Sequence, residues 1–248
     1  MKSGKHPRVV AIIQARMGST RLPGKVLAEI HGRPMLWRVV ERARRAESLD
    51  ETIVATTTQP ADDAIVALCR EQGVGCFRGS EADVLDRYHR AAAQYRAEVV
   101  VRITSDCPLI DPCIVDQVVH SFVKGGFDYA SNGLVRSYPR GLDVEVMTFA
   151  ALQRAHAGAR QAYQRAHVTP YLYENPQQFR LLSVTADRDY SAYRWTVDTP
   201  EDMALVRAVY DHLAGEVGSF DQVVRLMERE PELAEMNGSV PQKALQEG

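Results

Sequence analysis

Val9-Val10-Ala11-Ile12-Ile13-Gln14-Ala15-Arg16-Met17-Gly18-Ser19-Thr20-Arg21-Leu22-Pro23-Gly24-Lys25 runs from five apolar residues into a loop holding two glycines, a serine, a threonine and three cations. A short unbroken apolar run bounded by turn residues reads as a strand buried on both faces, the kind found inside a parallel sheet. A loop of this composition after such a strand can surround a polyphosphate with backbone N–H groups and positive charge. The stretch points to an α/β sheet that binds a nucleotide. A basic surface loop is the plainer alternative, and the rest of the chain has to decide.

The loop matches neither of two familiar phosphate-binding patterns. A P-loop reads G-x-x-x-x-G-K-[ST], whereas Gly18 and Gly24 enclose five residues and Val26 stands where a magnesium-binding hydroxyl belongs. The G-x-G-x-x-G dinucleotide spacing is also missing. Any metal must therefore be held by residues elsewhere.

Outward from this loop, short apolar runs alternate with helix-period segments, the mark of βαβ units and a mostly parallel sheet covered on both faces. Strands are expected near 8–13, 52–56, 74–77, 98–103, 127–130, 142–147, 180–185 and 193–197. Helices are expected over 34–46, 62–71, 83–95, 112–123, 149–156, 200–213 and 220–228. In the first of these, Met35, Val39, Val40 and Ala43 share one face, and Pro34 suits a helix start. The 130–148 region, with Asn132-Gly133 and Pro139-Arg140-Gly141, breaks the alternation and reads as an inserted loop or hairpin. No repeat or low-complexity linker divides the chain. One domain is expected over 1–248, with a nucleotide-binding half at 8–125, an acceptor and dimerisation half at 126–215, and a frayed, flexible tail over 231–248.

Composition narrows the partners. The 248 residues are 45% hydrophobic and 25% charged with a net charge of −2, so no global basic field favours nucleic acid. Cys69, Cys76, Cys107 and Cys113 form no C-x-x-C pair and read as reduced thiols. No apolar run approaches the ~18 residues of a membrane span, and the first residues lack a signal-peptide pattern. A soluble cytoplasmic protein with a small anionic ligand is expected.

Two aspartates stand at the ends of apolar runs. Asp106 follows Val99-Val100-Val101-Arg102-Ile103-Thr104-Ser105, where ligands bind in open α/β sheets, and is placed to hold a phosphate-bound metal. Asp111, just before Pro112, fits a helix cap better. Asp198, in Arg194-Trp195-Thr196-Val197-Asp198-Thr199-Pro200, suits either a cap or a share in one or two Mg²⁺ ions. Gly79 and Ser80, in Phe77-Arg78-Gly79-Ser80-Glu81-Ala82-Asp83, offer a turn and a helix start that can read a base edge; Asp83 and Arg87 can instead form an i,i+4 pair. Arg140, Arg165 and His167 are candidates for an acceptor's anionic group, with Asp143 and Glu145 for its hydroxyls; a structural role suits the histidine as well.

With these residues in view, the chain closely resembles the cytidylyltransferases of spore coat polysaccharide biosynthesis, relatives of the acylneuraminate and 3-deoxy-manno-octulosonate cytidylyltransferases. The resemblance is carried by IIQARMGSTRLPGKVL at 12–27, FRGSEADVLDRY at 77–88, RITSDCPLIDP at 102–112, YPRGLDVEV at 138–146 and HVTPY at 167–171. It implies an α/β fold of the nucleotide-diphospho-sugar transferase type, a Rossmann-like three-layer sandwich, binding CTP with Mg²⁺; a homodimer through the irregular middle region is a separate expectation. Arg16, Arg21, Lys25 and Asp106 are then the expected catalytic residues. Gln14, Ala15, Gly18, Ser19, Gly79, Ser80 and Thr104 are expected at the nucleotide, and Asp106 and Asp198 at the metal. The 130–171 region follows the spore coat branch and not the sugar-acid enzymes, so the acceptor stays open among sugar acid, sugar phosphate and phosphonate. Two other classes compete: a glycosyltransferase using a finished nucleotide sugar, and a nucleotide-binding protein without turnover.

Overall fold

The computed structural model describes residues 6–242. Its first half contains β1 (Val9–Gln14), the short pair β2 (Glu29–Ile30) and β3 (Arg33–Pro34), α1 (Met35–Ala43), β4 (Glu51–Thr57), α2 (Asp63–Glu71), β5 (Gly75–Gly79), α3 (Val84–Gln94) and β6 (Val99–Thr104). Then follow α4 (Pro112–Gly125), β7 (Tyr129–Ser131), β8 (Glu145–Thr148), α5 (Phe149–Gly158), α6 (Ala162–His167) and α7 (Pro170–Tyr173). The last elements are β9 (Leu181–Ser183), α8 (Pro200–His212), α9 (Phe220–Arg229) and α10 (Glu232–Glu235).

β1 lies inside a seven-stranded sheet of order β5-β4-β1-β6-β8-β7-β9. It pairs in parallel with β4 and β6, and only β8 runs against its neighbours. Its apolar run has no polar face because the sheet has no wet face. Val9, Ala11 and Ile13 enter a core covered by α1, α2, α4, α8 and α9, while Val10 and Ile12 enter a second core under α3, α5 and α7. This is the expected three-layer α/β arrangement, with Gln14 and Thr104 side by side where their strands end.

Four local readings differ from the structure. Residues 193–197 form no strand among the described residues; their backbone bonds go to two loops, with Arg140 N donating to Tyr193 O, Trp195 N to Arg140 O and Val197 N to Asp106 O. The strand expected at 142–147 begins only at Glu145, because the Asn132 side chain accepts from Val144 N and donates to Leu142 O in place of a ladder. The helix expected from 34 is preceded by the β2–β3 pair, whose turn places His31 and Gly32 at positive φ. Part of the expected frayed tail is placed against the core: α10 buries Leu233, and Asn237 is 2% exposed. Residues 243–248 of that tail lie outside the described residues.

Candidate active site

The basic loop is shaped by a few backbone bonds and one buried carboxylate. Ser19 N and Gly24 N both donate to Met17 O, and Gly24 turns the chain at φ 71°, a left-handed conformation that glycine adopts without strain. Met17 N donates to Asp62 Oδ1 at 2.8 Å, and the Thr57 amide and hydroxyl donate to Asp62 Oδ2. Burial works against the Asp62 charge, but these donors outweigh it and hold its carboxyl below the ordinary aspartate value. Asp62 was not singled out in the sequence, because nothing in its own surroundings signals a contact with residue 17.

After this turn Lys25 points back under the loop, where its ammonium meets both strand-end candidates. Lys25 Nζ donates to Asp198 Oδ1 at 2.9 Å, Asp106 Oδ2 at 3.2 Å and Val197 O at 2.6 Å. Burial opposes the lysine charge, yet Asp106 and Asp198 prevail and raise its pKa above the ordinary value. Burial likewise opposes ionisation of Asp106, and Lys25 with the Thr104 hydroxyl keeps its pKa low. Thr104 Oγ1 donates to Asp106 Oδ1 at 2.6 Å, fixing the carboxylate from its other side. Arg21 completes the group, 3.0 Å from Asp198 Oδ2.

The helix caps fall to residues other than Asp106 and Asp198. Asp111 caps α4 through Cys113 N and Ile114 N, as expected. Thr199, not Asp198, caps α8, in a reciprocal capping box with Asp202. Asp198 is thereby left to face Lys25, Arg21 and Arg194.

The remaining candidates fall into separate groups. Arg16 is exposed and 3.8 Å from Glu81, and Gly18 lies beside the same glutamate. Ala15 N donates to Ala55 O and Ser105 N to Gln14 O, while Gln14 Oε1 is buried without a partner among the described residues. Ser80 Oγ accepts from Asp83 N, and Ser80 O accepts from the buried Arg87. Gly79 packs on Arg87 and Phe77. The i,i+4 pair of Asp83 and Arg87 is not formed: Asp83 Oδ2 instead takes Arg165 Nε at 2.7 Å. Arg165 is thus held by Asp83 at the start of α3 and by His156 O, and His167 ends α6. Arg140 is bridged through its backbone to Arg194. Asp143 accepts from Gly141 N and pairs with Arg136. Glu145 lies further along the sheet, bound to Arg102 and the Tyr129 hydroxyl.

Asp106 and Asp198 direct one oxygen each at a single cation, which suits a hard divalent ion that prefers oxygen. No group of three or more His, Cys, Asp or Glu residues placed to hold a metal occurs among the described residues. A magnesium ion that takes one or two carboxylates and fills its shell with water and phosphate oxygens fits this donor set.

A mostly parallel sheet with a basic loop after the inner strand β1 and two carboxylates gathered at that loop's Lys25 is the arrangement of a nucleotidyltransferase of the nucleotide-diphospho-sugar fold. The chain belongs to the cytidylyltransferase family, whose profile matches residues 10–237. It is 34% identical over 235 residues to the spore coat polysaccharide biosynthesis protein SpsF of Bacillus subtilis, covering 91% of this chain and 96% of that one. It is 32% identical over 243 residues to a 3-deoxy-manno-octulosonate cytidylyltransferase of Anaeromyxobacter dehalogenans, covering 81% and 97%. An uncharacterised protein of Methanocaldococcus jannaschii is 39% identical over 242 residues, covering 97% and 98%. Among solved structures, a cytidylyltransferase from Leptospira borgpetersenii superposes with a TM-score of 0.89 at 33% identity, covering 96% of this chain and 99% of that one. A CMP:2-keto-3-deoxy-manno-octonic acid synthetase complexed with CTP shares the fold at a TM-score of 0.64 and 21% identity, covering 83% and 99%. The protein is accordingly a CTP-dependent nucleotidyltransferase, and the glycosyltransferase and non-catalytic readings give way to it. No helix among the described residues is long and apolar enough to cross a membrane.

Proposed function

We propose that the protein transfers CMP from CTP to an oxygen of an anionic acceptor and releases pyrophosphate, with Asp106 and Asp198 holding Mg²⁺. The observation that carries this reading is the Lys25 ammonium shared by Asp106 and Asp198, with Arg21 on the second Asp198 oxygen. Two loop cations and two carboxylates at one point form a centre able to exchange partners when a triphosphate arrives. Arg21 and Lys25 can turn to the phosphates, leaving the carboxylates to a metal. Magnesium, when bound, supplies neutralisation of phosphate charge.

In this reading the acceptor oxygen bonds to the α-phosphorus of CTP as the bond from that phosphorus to the bridging oxygen of the β-phosphate breaks. Pyrophosphate leaves with the electron pair. No protein nucleophile is needed, because such a transfer depends on positioning and on neutralising charge that moves to the leaving group. Lys25 and Arg21 serve the leaving phosphates. Arg140, the cation of the irregular 138–146 segment, is bridged through its backbone to Arg194 and is assigned to the acceptor's anionic group.

The test is a pyrophosphate-release screen of the four common NTPs against sugar acids, sugar phosphates and phosphonates, with and without Mg²⁺. Release with CTP, Mg²⁺ and one acceptor class is expected. Sugar transfer from a nucleotide sugar without pyrophosphate would contradict the reading.

A further inference from the structure

The cations around Asp198 differ in how they are held. Arg21 and Lys25 belong to the basic loop and its short exit turn, and in the proposed reaction both have phosphates to serve. Arg194 is different. Its residue is 8% exposed, and its guanidinium is spread over three partners: Nε and Nη2 to the two Asp202 oxygens at 2.9 and 3.1 Å, Nη2 also to Asp198 Oδ2 at 2.9 Å, and Nη1 to Gln242 Oε1 at 2.6 Å.

Asp202 is itself immobilised. It is 0% exposed and accepts from Asp198 N, Thr199 N and Asn237 Nδ2 in addition to Arg194. Asn237 also donates to the Arg194 carbonyl at 2.9 Å. Asn237 and Gln242 both come from the segment after α10, so the far end of the described chain is hydrogen-bonded to the residue that touches Asp198. A half-open pocket of about 160 Å³ is lined in part by Arg140, Arg194, Trp195, Ala234, Gly238 and Gln242. Close packing therefore does not complete this junction, and polar contacts hold it.

We propose that Arg194 is a positioning residue for the transfer, and that the 237–242 segment belongs to the catalytic unit because it fixes Arg194. This rests on the reading of Asp106 and Asp198 as the metal-holding pair. Arg194 keeps Asp198 Oδ2 in place when Arg21 and Lys25 turn to the phosphates, so that Oδ1 stays directed at the cation. A planar fork suits this task, since it can hold Asp202 with two bonds while reaching Asp198 with the same nitrogen that makes one of them. A lysine keeps the charge and loses that geometry.

The experiment measures Mn²⁺ binding to the full-length protein with CTP, by electron paramagnetic resonance of the free ion, beside kcat and KM for CTP. The proteins are wild type, Asp198→Asn, Arg194→Lys and Gln242→Ala. Outer partners of metal ligands typically contribute ~10–100-fold to metal affinity or activity. Arg194→Lys is expected to weaken Mn²⁺ binding over that range and lower kcat, with KM for CTP moving less than about threefold. Gln242→Ala, which removes the contact to Arg194 Nη1 and leaves the Arg194 side chain itself intact, is expected to shift both in the same direction by a smaller factor, and it decides the matter if Arg194→Lys does not fold. Loss of Mn²⁺ binding in Asp198→Asn, with wild-type binding in every folded variant at Arg194 and Gln242, overturns this proposal alone. Unchanged Mn²⁺ binding in Asp198→Asn overturns the metal reading and the proposal with it.

Discussion

Asp62 shows how a residue without a motif can shape a binding loop. It is 2% exposed, and its carboxylate ties Met17 N to the end of β4 through Thr57. Replacing it with alanine leaves those buried donors unsatisfied, at a cost of about 1–3 kcal/mol each. Because Met17 O in turn receives Ser19 N and Gly24 N, the loss spreads into the loop. Asp62→Ala is expected to lower Tm and to raise KM for CTP more than it lowers kcat, as thermal melts and steady-state kinetics can check. An unchanged KM would mean that the loop keeps its shape without this anchor.

Among the elements, the junction between 138–146 and 194–198 positions the site most directly. Gly141 has φ 102°, and a Cβ there would lie 2.5 Å from Thr196 N and 2.5 Å from Trp195 C, both backbone atoms that cannot move aside. Gly141→Ala combines a disfavoured backbone conformation with overpacking, worth about 2–6 kcal/mol together. It should also separate Arg140 from Arg194 and reduce kcat in whatever protein folds; a wild-type Tm would show that the loops are not in obligatory contact. This junction also marks where the sequence stops being legible. β1 and β6 are readable because strands buried on both faces need unbroken apolar runs. Tyr193 to Val197 alternates apolar and polar residues as a half-buried strand does, but its backbone partners are loops at Arg140 and Asp106, which no local periodicity records. Asp106 and Asp198 could be picked out as candidates from their places after expected strands, and Lys25 from the composition of the basic loop. Arg194 and Asp62 could not: Asp62 meets Met17 across the fold, and although the carboxylate partners of Arg194 are near it in sequence, its contacts with Asn237 and Gln242 come from the far end of the described chain.

At the scale of the whole molecule, the three-layer sheet brings residues from both ends of the chain to one edge, and charge holds them there. Burial opposes the charge on Asp202, but Arg194, the Asp198 amide and Asn237 prevail and keep its carboxyl below the ordinary value, as the donors at Asp62 do for that residue. A depressed folded pKa gives stability that is complete above the unfolded value of about 3.9 and is lost as pH falls through the lower folded value. Asp202→Asn is expected to cost about 3–5 kcal/mol near neutrality, because it leaves the buried Arg194 charge short of a partner. The deficit should shrink below about pH 4, where wild type loses the same term. Urea titrations of both proteins from neutral to acid pH measure it; a gap that stays constant with pH would remove Asp202 from the acid response.

All of these contacts converge on the Lys25, Asp106 and Asp198 centre, and the most direct test is the single-turnover rate of pyrophosphate release from CTP in Asp106→Asn at saturating acceptor. Removing a principal electrostatic contact at a transfer centre typically costs ~10²–10³ in rate. That loss, with the fold intact and CTP still bound, is the predicted result. A rate close to wild type would contradict the assignment of this centre to the transfer.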